Sequence, residues 1–265
     1  MPDIVLLTGA TGFLGTELAA RLADTDAEKI YALVRAADSD AACHRLRQAW
    51  CHDKALYDQI GTRFIPVRGD FTKTDLGLSE SDCKTLNETA TLVIHAGAEV
   101  SFQKSKADFD TTNLTGTANM IDAAKQMKNL RRFVYISTAY VAGQRKGVIM
   151  EDAPAAEDYS NYYEKSKAEA EKLVHQSGLP YSVCRPGMIV GNSETGWIRN
   201  FNTVYYVLKM LLLGRLRVIP AKPDTMLNIV PGDYVADCIA GIAMDSEAEG
   251  RIFHLTCPKD AAPRA

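Results

Sequence analysis

The amino-acid sequence predicts an α/β fold, a doubly wound parallel sheet of the Rossmann type with a small C-terminal substrate-binding portion. Three observations lead to this prediction. Short, continuously apolar runs alternate with helical patterns as far as Gly191, which is typical of parallel strands covered on both faces. A glycine-rich stretch, TGATGFLG, joins the first apolar run to the first helix. After Gly191 the alternation gives way to a polar, loop-like stretch over residues 192–202.

Each element of the first part follows from its own pattern. The run IVLL predicts a strand at residues 4–7, and Leu14, Leu18 and Leu22 recur at the spacing of a helix over 13–23. The other apolar runs predict strands at residues 30–34, 64–68, 92–95, 133–137 and 181–185. The stretches between them predict helices at residues 40–49, 80–86, 113–127 and 162–177.

The later part of the chain has a different texture. An apolar helix containing Lys209 is predicted at residues 204–213, and a loop bounded by Pro220 and Pro223 follows it. A last strand–helix–strand unit is predicted at residues 228–230, 234–244 and 252–255. We therefore expect a Rossmann core over residues 1–191 and a small substrate-binding region over 192–265 that includes these returning elements.

The composition is that of an ordinary globular protein, with 265 residues of which 46% are hydrophobic and 24% charged. A net charge of −3 gives no electrostatic reason to expect nucleic acid or an anionic membrane as a partner. No run reaches the ~18 apolar residues of a membrane span, so no transmembrane segment is expected.

Six cysteines are scattered through the chain without CxxC spacing, and no secretory signal precedes them. We therefore expect reduced thiols and a cytoplasmic location. Cys43-His44 and Cys51-His52 lie in a helical stretch with no second ligand cluster. That arrangement favours helix-surface residues over a zinc site, and no metal is expected.

The glycine-rich stretch predicts dinucleotide binding. A turn between a strand and a helix collects free backbone N–H groups and the positive end of the helix dipole at one point. Gly9, Gly12 and Gly15 would permit the tight turn and let a pyrophosphate approach the backbone. The spacing is G-x-x-G-x-x-G, and a purely structural turn could carry it alone. Its place after the first strand of an α/β pattern favours the binding site.

The end of the second strand indicates which dinucleotide is bound. The run IYALV ends at Arg35, where an acidic residue would accept hydrogen bonds from the ribose 2′-hydroxyl of NAD. An arginine suits the 2′-phosphate of NADP(H) instead. Arg45, one helix later, could add a second positive contact. A solvated surface arginine is the alternative, and NADP is favoured over NAD.

Two further stretches carry groups suited to acid–base chemistry. Tyr163 and Lys167 are four residues apart on a predicted helix and share one face. The lysine ammonium, with an oxidised nicotinamide, would lower the pKa of the phenol and make Tyr163 a proton donor near neutral pH. Thr138, at the carboxyl end of a buried strand, could hydrogen-bond a substrate carbonyl. Each signal alone also fits a surface helix or a strand-end hydroxyl. The glycine turn, the strand-end Thr138 and the pair Tyr163 and Lys167, in that order along the chain, are more specific together than any one of them.

The sequence resembles the extended short-chain dehydrogenase/reductases over nearly its whole length. It is most similar to the male-sterility-like branch of fatty acyl-CoA reductases and thioester reductase domains. The motifs that carry the resemblance are TGATGFLG, ALVRA, GDFTKTDLGLS, IHAGAEVSF, Asn113 with Gly116-Thr117, ISTAYVAG, YYEKSK and RPGMIVG.

The resemblance implies a role for each matching position. Tyr163 would be the acid/base, Lys167 would bind the nicotinamide ribose and tune the tyrosine, and Thr138 would help to polarise the carbonyl. Arg35 with Arg45 would bind the 2′-phosphate. The pyrophosphate would be held by Thr8, Gly9, Thr11, Gly12, Phe13, Leu14 and Gly15; the adenine would be flanked by Asp70 and Phe71; the cofactor would be lined by Ala96, Gly97 and Ala98; and the nicotinamide would be bordered by Pro186, Gly187 and Met188.

The leading hypothesis is an NADPH-dependent reductase of a small-molecule or carrier-bound acyl thioester, giving an aldehyde or alcohol. A nucleotide-sugar epimerase or dehydratase, or a ketone or aldehyde reductase, is the alternative on the same scaffold, and Arg199, Arg215 and Arg217 support it. A non-catalytic NADP-binding sensor is a third hypothesis, which the presence of Thr138, Tyr163 and Lys167 disfavours. The apolar helix at 204–213 could wall an acyl pocket, belong to the core or form a homodimer contact.

Overall fold

The computed structural model describes residues 2–101, 103–201, 204–217 and 227–257. Its centre is a parallel sheet of seven strands in the order β3-β2-β1-β4-β5-β6-β9. A second, two-stranded parallel sheet pairs β7 with β8. The strands are β1 (Ile4–Thr8), β2 (Lys29–Val34), β3 (Phe64–Arg68), β4 (Leu92–His95), β5 (Arg132–Ile136), β6 (Tyr181–Pro186), β7 (Met188–Val190), β8 (Ile229–Pro231) and β9 (Ile252–Leu255).

Helices cover both faces of the large sheet. They are α1 (Phe13–Ala23), α2 (Ser39–Ala49), α3 (Lys54–Tyr57), α4 (Glu80–Thr89), α5 (Lys106–Phe109), α6 (Gly116–Gln126), α7 (Tyr162–Gln176), α8 (Val204–Leu212) and α9 (Gly232–Met244). Residues of α1, α2 and α9 pack into one hydrophobic core, whereas residues of α4, α6 and α7 pack into a second core on the opposite face. The predicted doubly wound α/β class is therefore confirmed.

Burial on both faces explains why the strands read as continuous apolar runs. In β1, Val5 and Leu7 point into the core beneath α1 and α9, while Leu6 points into the opposite core. All three side chains are fully buried. Successive side chains of a strand alternate between faces, so a strand with helices on both sides needs an apolar residue at every position. Leu6 lies opposite Tyr31 of β2 and Val93 of β4, which places β1 in the interior of the sheet.

The last helix and strand complete the large sheet. Strand β9 pairs in parallel with β6, at its edge, and α9 packs against α1. Strand β8 instead pairs with β7, a three-residue strand that the sequence analysis did not predict. The structure thus places α9 and β9, which the sequence analysis assigned to the substrate-binding region 192–265, in the Rossmann layer. The predicted loop bounded by Pro220 and Pro223 lies outside the described residues.

The helix predicted at residues 113–127 begins earlier and is irregular. It consists of α5, a π-helical stretch over Asp110–Thr115, and α6 in direct continuation. Ser105 and Asp108 form a reciprocal capping box at its start. The π-helical stretch carries the buried Asn113, whose contacts are described with the site.

Helix α8 has no buried residue in the described part of the chain, so the proposed core role of this segment is wrong. Leu212 is 88% exposed and Tyr206 is 60% exposed. Among the side chains of this helix in the described residues, only that of Tyr205 makes a hydrogen bond to another segment. Its hydroxyl accepts from the backbone N–H of Gly191 at 2.8 Å. The other two hypotheses, an acyl-pocket wall and a homodimer contact, both need such an exposed face.

Gly15 and Gly241 make a matched pair for testing the close backbone approach in the glycine-rich stretch, because both lie inside helices. A Cβ at Gly15 would meet the carbonyl oxygen of Gly9 at 2.0 Å, whereas a Cβ at Gly241 would meet nothing within 4 Å. We expect Gly15→Ala to lower the free energy of unfolding by about 2 kcal/mol or more through overpacking. Gly241→Ala should raise it by about 0.5–1 kcal/mol through helix propensity. Urea denaturation measures both, and an equal effect of the two substitutions would contradict the close approach at Gly15.

Candidate active site

The predicted site residues gather at the carboxyl edge of the sheet, where β1, β4, β5 and β6 end side by side. A chain of buried hydrogen bonds joins two of these ends. The Thr8 hydroxyl lies 2.7 Å from His95 Nδ1 and accepts a hydrogen bond from the backbone N–H of Gly97 at 3.0 Å. His95 Nε2 lies 3.2 Å from the Thr117 hydroxyl. Burial, followed by the charge of Lys167, lowers the pKa of His95 to about 3, so the imidazole is neutral.

The glycine turn forms a cradle with the shape that a pyrophosphate needs. Gly9 has a φ of +74°, a left-handed conformation that favours glycine, and the backbone N–H of Gly12 donates to its carbonyl at 2.8 Å. The N-cap residue of α1, Gly12, provides no side-chain cap, whereas Asp38 caps α2 and Asn161 caps α7. The first-turn N–H groups of α1 therefore remain available to an anion. These residues fit the phosphates of a dinucleotide.

The side chains of Thr8 and Phe13 have partners within the protein. The Thr8 side chain is fully buried, and its hydroxyl joins β1 to β4 through His95 and Gly97. Phe13 packs against other residues. Its ring lies 5.4 Å from that of Trp197 and against the backbone of Gly232. Only the backbone of Phe13 belongs to the cradle.

Phe71 and Asp70 lie beside the cradle, where the resemblance places the adenine. The ring of Phe71 fills the space that a Cβ would need at Gly97 and at Gly116, both 2.6 Å away. Asp70 is bound locally, since its carboxylate accepts hydrogen bonds from the backbone N–H and the hydroxyl of Thr72. Ala96 and Ala98, which flank Gly97, are half-buried.

Arg35 and Arg45 come together on the surface at the end of β2. Both are exposed, and the guanidinium of Arg45 donates to the backbone carbonyl of Arg35. Helix α2 thereby brings a second positive charge to the strand end, as the sequence analysis expected. The pair lies at the carboxyl end of the strand next to β1, the position from which a ribose phosphate is read in this fold.

Thr138 and Tyr163 meet at the end of β5. The Thr138 side chain lies close enough to the Tyr163 phenol to lower its pKa. Thr138 is buried, and its hydroxyl also accepts from the backbone N–H of Tyr140 at 3.3 Å and approaches the Pro186 carbonyl at 3.5 Å. Burial raises the pKa of Tyr163 to about 12, against the influence of Thr138, which lowers it. In the ligand-free chain burial decides the direction of this shift, and Lys167 is not among the groups that lower the pKa of Tyr163. The expected lowering by Lys167 together with an oxidised nicotinamide stays a prediction.

Lys167 lies beneath the site. It is 2% exposed, and its Nζ donates to the Ile136 carbonyl at 2.5 Å and lies 4.3 Å from the centre of the Tyr135 ring. Burial lowers the pKa of Lys167 to about 7, and the negative charge of Glu171 opposes that shift. Tyr163 and Lys167 share one face of α7, as the four-residue spacing predicted.

The turn Pro186–Gly187–Met188 is held between two strands. The backbone N–H of Gly187 donates to the Leu255 carbonyl at 3.0 Å, and that of Met188 donates to the Asn228 carbonyl at 2.8 Å. A Cβ at Gly187 would meet the Asn228 side chain at 2.5 Å. The turn lies next to Thr138, whose hydroxyl approaches the Pro186 carbonyl at 3.5 Å, and its place at the nicotinamide stays a prediction.

The sequence analysis named Asn113 only within a motif and missed its position in the site. Its side chain accepts from the Glu99 N–H at 2.8 Å and donates to the Glu99 carbonyl at 3.1 Å and to the Ser166 hydroxyl at 2.9 Å. It thereby ties the loop after β4 to α7, between Tyr163 and Lys167. The sequence shows only an asparagine in the threonine-rich stretch TTNLTGT, and its 1% exposure became visible only in the structure.

Two kinds of feature are absent from the described residues. No group of three or more His, Cys, Asp or Glu side chains in the described ranges is placed to hold a metal ion. No helix in that part of the structure is long and apolar enough to cross a membrane.

The buried lysine predicts a pH-dependent stability in the ligand-free protein. The pKa of Lys167 is about 7 in the folded chain and near its ordinary value of 10.5 when unfolded. Between these values the unfolded chain binds more protons, so the free energy of unfolding rises with pH. Relative to Lys167→Met, the wild type should gain about 1 kcal/mol per pH unit from pH 7 to 10. Denaturation at several pH values measures this. Lys165→Met, at an exposed neighbour, should parallel the wild type, and a parallel curve for Lys167→Met would refute the prediction.

Two known proteins are similar to this chain over most of its length. A linear gramicidin synthase polypeptide of Brevibacillus parabrevis is 31% identical over 267 residues, which cover 96% of this chain and 5% of that protein. Fatty acyl-CoA reductase 1 of Homo sapiens is 29% identical over 273 residues, which cover 88% of this chain and 53% of that protein. The chain thus spans about half of the human relative and a small part of the synthase.

A solved structure, the terminal R domain from the myxalamid PKS-NRPS biosynthetic pathway, has a TM-score of 0.89 and 34% identity. The match covers 100% of this chain and 67% of that one. These relatives confirm the resemblance to reductases of the fatty acyl-CoA and thioester type. Residues 7–239 match the NAD-binding family described as male sterility protein. Because this match spans most of the sequence, the chain belongs to the male sterility protein family.

Proposed function

We propose that the chain is an NADPH-dependent reductase of acyl thioesters, which it converts to an aldehyde or alcohol. The observation that carries the proposal is the approach of Thr138 to Tyr163 at the end of β5, on the sheet edge that also carries an uncapped, glycine-lined helix N-terminus. The names of the relatives support it, since they include a fatty acyl-CoA reductase and a terminal reductase domain.

The pair is suited to a carbonyl that becomes an oxyanion. A substrate oxygen that accepts hydrogen bonds from Thr138 and Tyr163 would be stabilised as negative charge develops on it. With a pKa of about 12, Tyr163 is fully protonated at neutral pH and has a proton to give. A bound nicotinamide dinucleotide would supply the hydride to the carbonyl carbon. Loss of the thiol would then leave the aldehyde, so one hydride and one proton account for the thioester step.

A cavity of about 560 Å³ beside Tyr163 offers room for the substrate. Phe109, Tyr159 and Tyr162 give it apolar and aromatic walls, and Lys104 and Lys165 line it too. Its volume lies within the range of small-molecule sites, which are about 300–1,000 Å³. A long pantetheine-linked acyl group needs such an open cavity next to the acid, since its carrier or CoA remains outside.

The choice of NADP(H) follows from Arg35 and Arg45. Two exposed guanidinium groups at the end of β2 match a doubly charged 2′-phosphate, and the structure describes no carboxylate hydrogen-bonded to either. The six thiols are all unpaired, which fits a reducing compartment, and we propose a cytoplasmic protein on that ground.

The first test removes the phenol hydroxyl of Tyr163. We expect Tyr163→Phe to lower kcat with acyl-CoA thioesters by about 100-fold or more, because general acid catalysis is lost. NADPH affinity should stay within about twofold, since one neutral hydroxyl contributes little to binding. NADPH oxidation measures turnover. Tyr57→Phe, at a half-exposed tyrosine of α3, is the matched control and should keep full activity.

The same assay separates the substrate classes. Acyl-CoA thioesters, carrier-bound thioesters, aldehydes and UDP-sugars are offered to the wild-type enzyme. Turnover of UDP-sugars alone, or full activity of Tyr163→Phe on thioesters, would overturn the proposed function.

The second test concerns the cofactor. Arg35→Ala should weaken NADPH binding by about tenfold, the effect of one charged hydrogen bond, and leave NADH binding unchanged. Arg47 is an exposed arginine of α2 whose guanidinium lies over the Tyr57 ring. As the control, Arg47→Ala should change the affinity for neither cofactor. Calorimetric titration gives the four dissociation constants. Equal loss of both cofactors in Arg35→Ala would argue against recognition of the 2′-phosphate.

A further inference from the structure

We propose that a buried ion pair, Glu171 with Arg185, is the positioning element that holds the three segments of the active site in register. These segments are the end of β5 with Thr138, helix α7 with Tyr163 and Lys167, and the turn after β6. The proposal rests on the proposed function, because it concerns how that site is assembled. Neither residue is expected to contact the substrate.

Glu171 connects α7 to the end of β5. Its carboxylate is fully buried and accepts a hydrogen bond from the Ser137 hydroxyl at 2.5 Å. Ser137 lies between Ile136, whose carbonyl accepts a hydrogen bond from the Lys167 ammonium, and Thr138, which lies close enough to Tyr163 to lower its pKa. One carboxylate therefore holds the end of β5 at Ser137, the residue between those that approach Lys167 and Tyr163.

Arg185 connects the same carboxylate to the turn and to the loop before α7. Its Nη2 lies 2.6 Å from Glu171 Oε1, and its Nε lies 3.1 Å from the same oxygen. The second contact of Nη2 is the Asp152 carbonyl, at 2.6 Å, in the segment that leads to α7. Nη1 donates to His254 Nε2 on β9 at 3.1 Å. Pro186, whose carbonyl faces Thr138, is the next residue along the chain.

The charge of Glu171 also acts on Lys167, one helical turn earlier on the same face of α7. It favours the ammonium form against burial. The other groups that face this centre are the Tyr135 ring on β5, His95 on β4, His175 on α7 and the Arg185 guanidinium on β6. Tyr159, before α7, is also under the influence of the Glu171 charge.

Stability alone is a weak explanation for this arrangement. Replacing a buried ion pair with apolar residues of similar volume is often neutral or stabilising, because desolvation offsets much of the attraction. Removal of one partner is costly, since it strands a buried charge. A pair that unites three separate catalytic segments is therefore best tested by removing both charges together.

The test compares two double variants. Glu171→Leu with Arg185→Met removes the pair, and Asp3→Leu with Arg131→Met removes a bidentate, partly exposed pair at the opposite, amino-terminal edge of the sheet. Thermal denaturation reports whether each variant folds. Calorimetric titration measures binding of NADPH and of adenosine 2′,5′-bisphosphate, which carries only the adenosine half. Steady-state assays with an acyl-CoA thioester give kcat and KM.

We expect the Glu171/Arg185 double variant to fold and to bind adenosine 2′,5′-bisphosphate like the wild type. NADPH binding should weaken about tenfold, because the groups for the nicotinamide half are displaced. A loss in kcat of about 100-fold, with KM changed far less, is expected from misplacement of the acid by about 1 Å. The Asp3/Arg131 variant should keep wild-type kcat and both affinities.

The single variant Glu171→Gln adds a readout that packing alone would not change. Without the carboxylate charge the pKa of Lys167 falls further, so the alkaline fall of kcat/KM should move to lower pH by about one unit. A folded double variant with wild-type kcat and NADPH affinity would overturn the positioning role. So would an equal loss of both ligands together with a lower melting temperature, since that result indicates general destabilisation.

Failure of the two proposals can be told apart. If the wild type reduces no thioester, the proposed function fails. The contrast between NADPH and adenosine 2′,5′-bisphosphate still decides the role of the ion pair, because that measurement needs no turnover.

Discussion

The contact between two backbones, at Gly15 and Gly9, is the constraint on which the rest of the site depends. The first turn of α1 lies so close to the end of β1 that a Cβ at Gly15 would meet the Gly9 carbonyl oxygen at 2.0 Å. This approach aims the uncapped N–H groups of α1 at the edge where the strands end. Beside this approach, Thr8 lies against His95, its partner in the register of β1 and β4. A bulkier residue at Gly15 would move α1 away from the end of β1 and from the edge where the strands end.

The two ends of the site differ in their electrostatics. Arg35 and Arg45 are exposed, and water solvates the positive charges that a phosphate would meet. Lys167 is buried and Tyr163 is half-buried, and burial disfavours the charged form of both groups. The pKa of Tyr163 rises to about 12 and that of Lys167 falls to about 7. Without a ligand, the phenol is therefore neutral at pH 7, and burial disfavours the ammonium form of the lysine.

The strands of the Rossmann sheet were predictable because burial on both faces leaves a signal in every residue. The runs that became β1 to β6 were found within about a residue of their bounds. Short or irregular elements leave no such signal. Strand β7 has only three half-buried residues, and the π-helical stretch at Asp110–Thr115 depends on the contacts of Asn113 with Glu99 and Ser166. The sequence also does not show which strand β9 joins, since edge pairing depends on distant partners.

The sequence by itself determined the α/β class, the glycine cradle, the shared face of Tyr163 and Lys167 on α7, and the arginine at the end of β2. Each of these depends on spacing along one or two neighbouring elements. Tertiary structure alone decided the direction of the Tyr163 pKa shift, the burial of the Thr8 side chain and the pairing of Glu171 with Arg185. Desolvation and long-range pairing are set by residues that are far apart in the chain, so no local pattern encodes them.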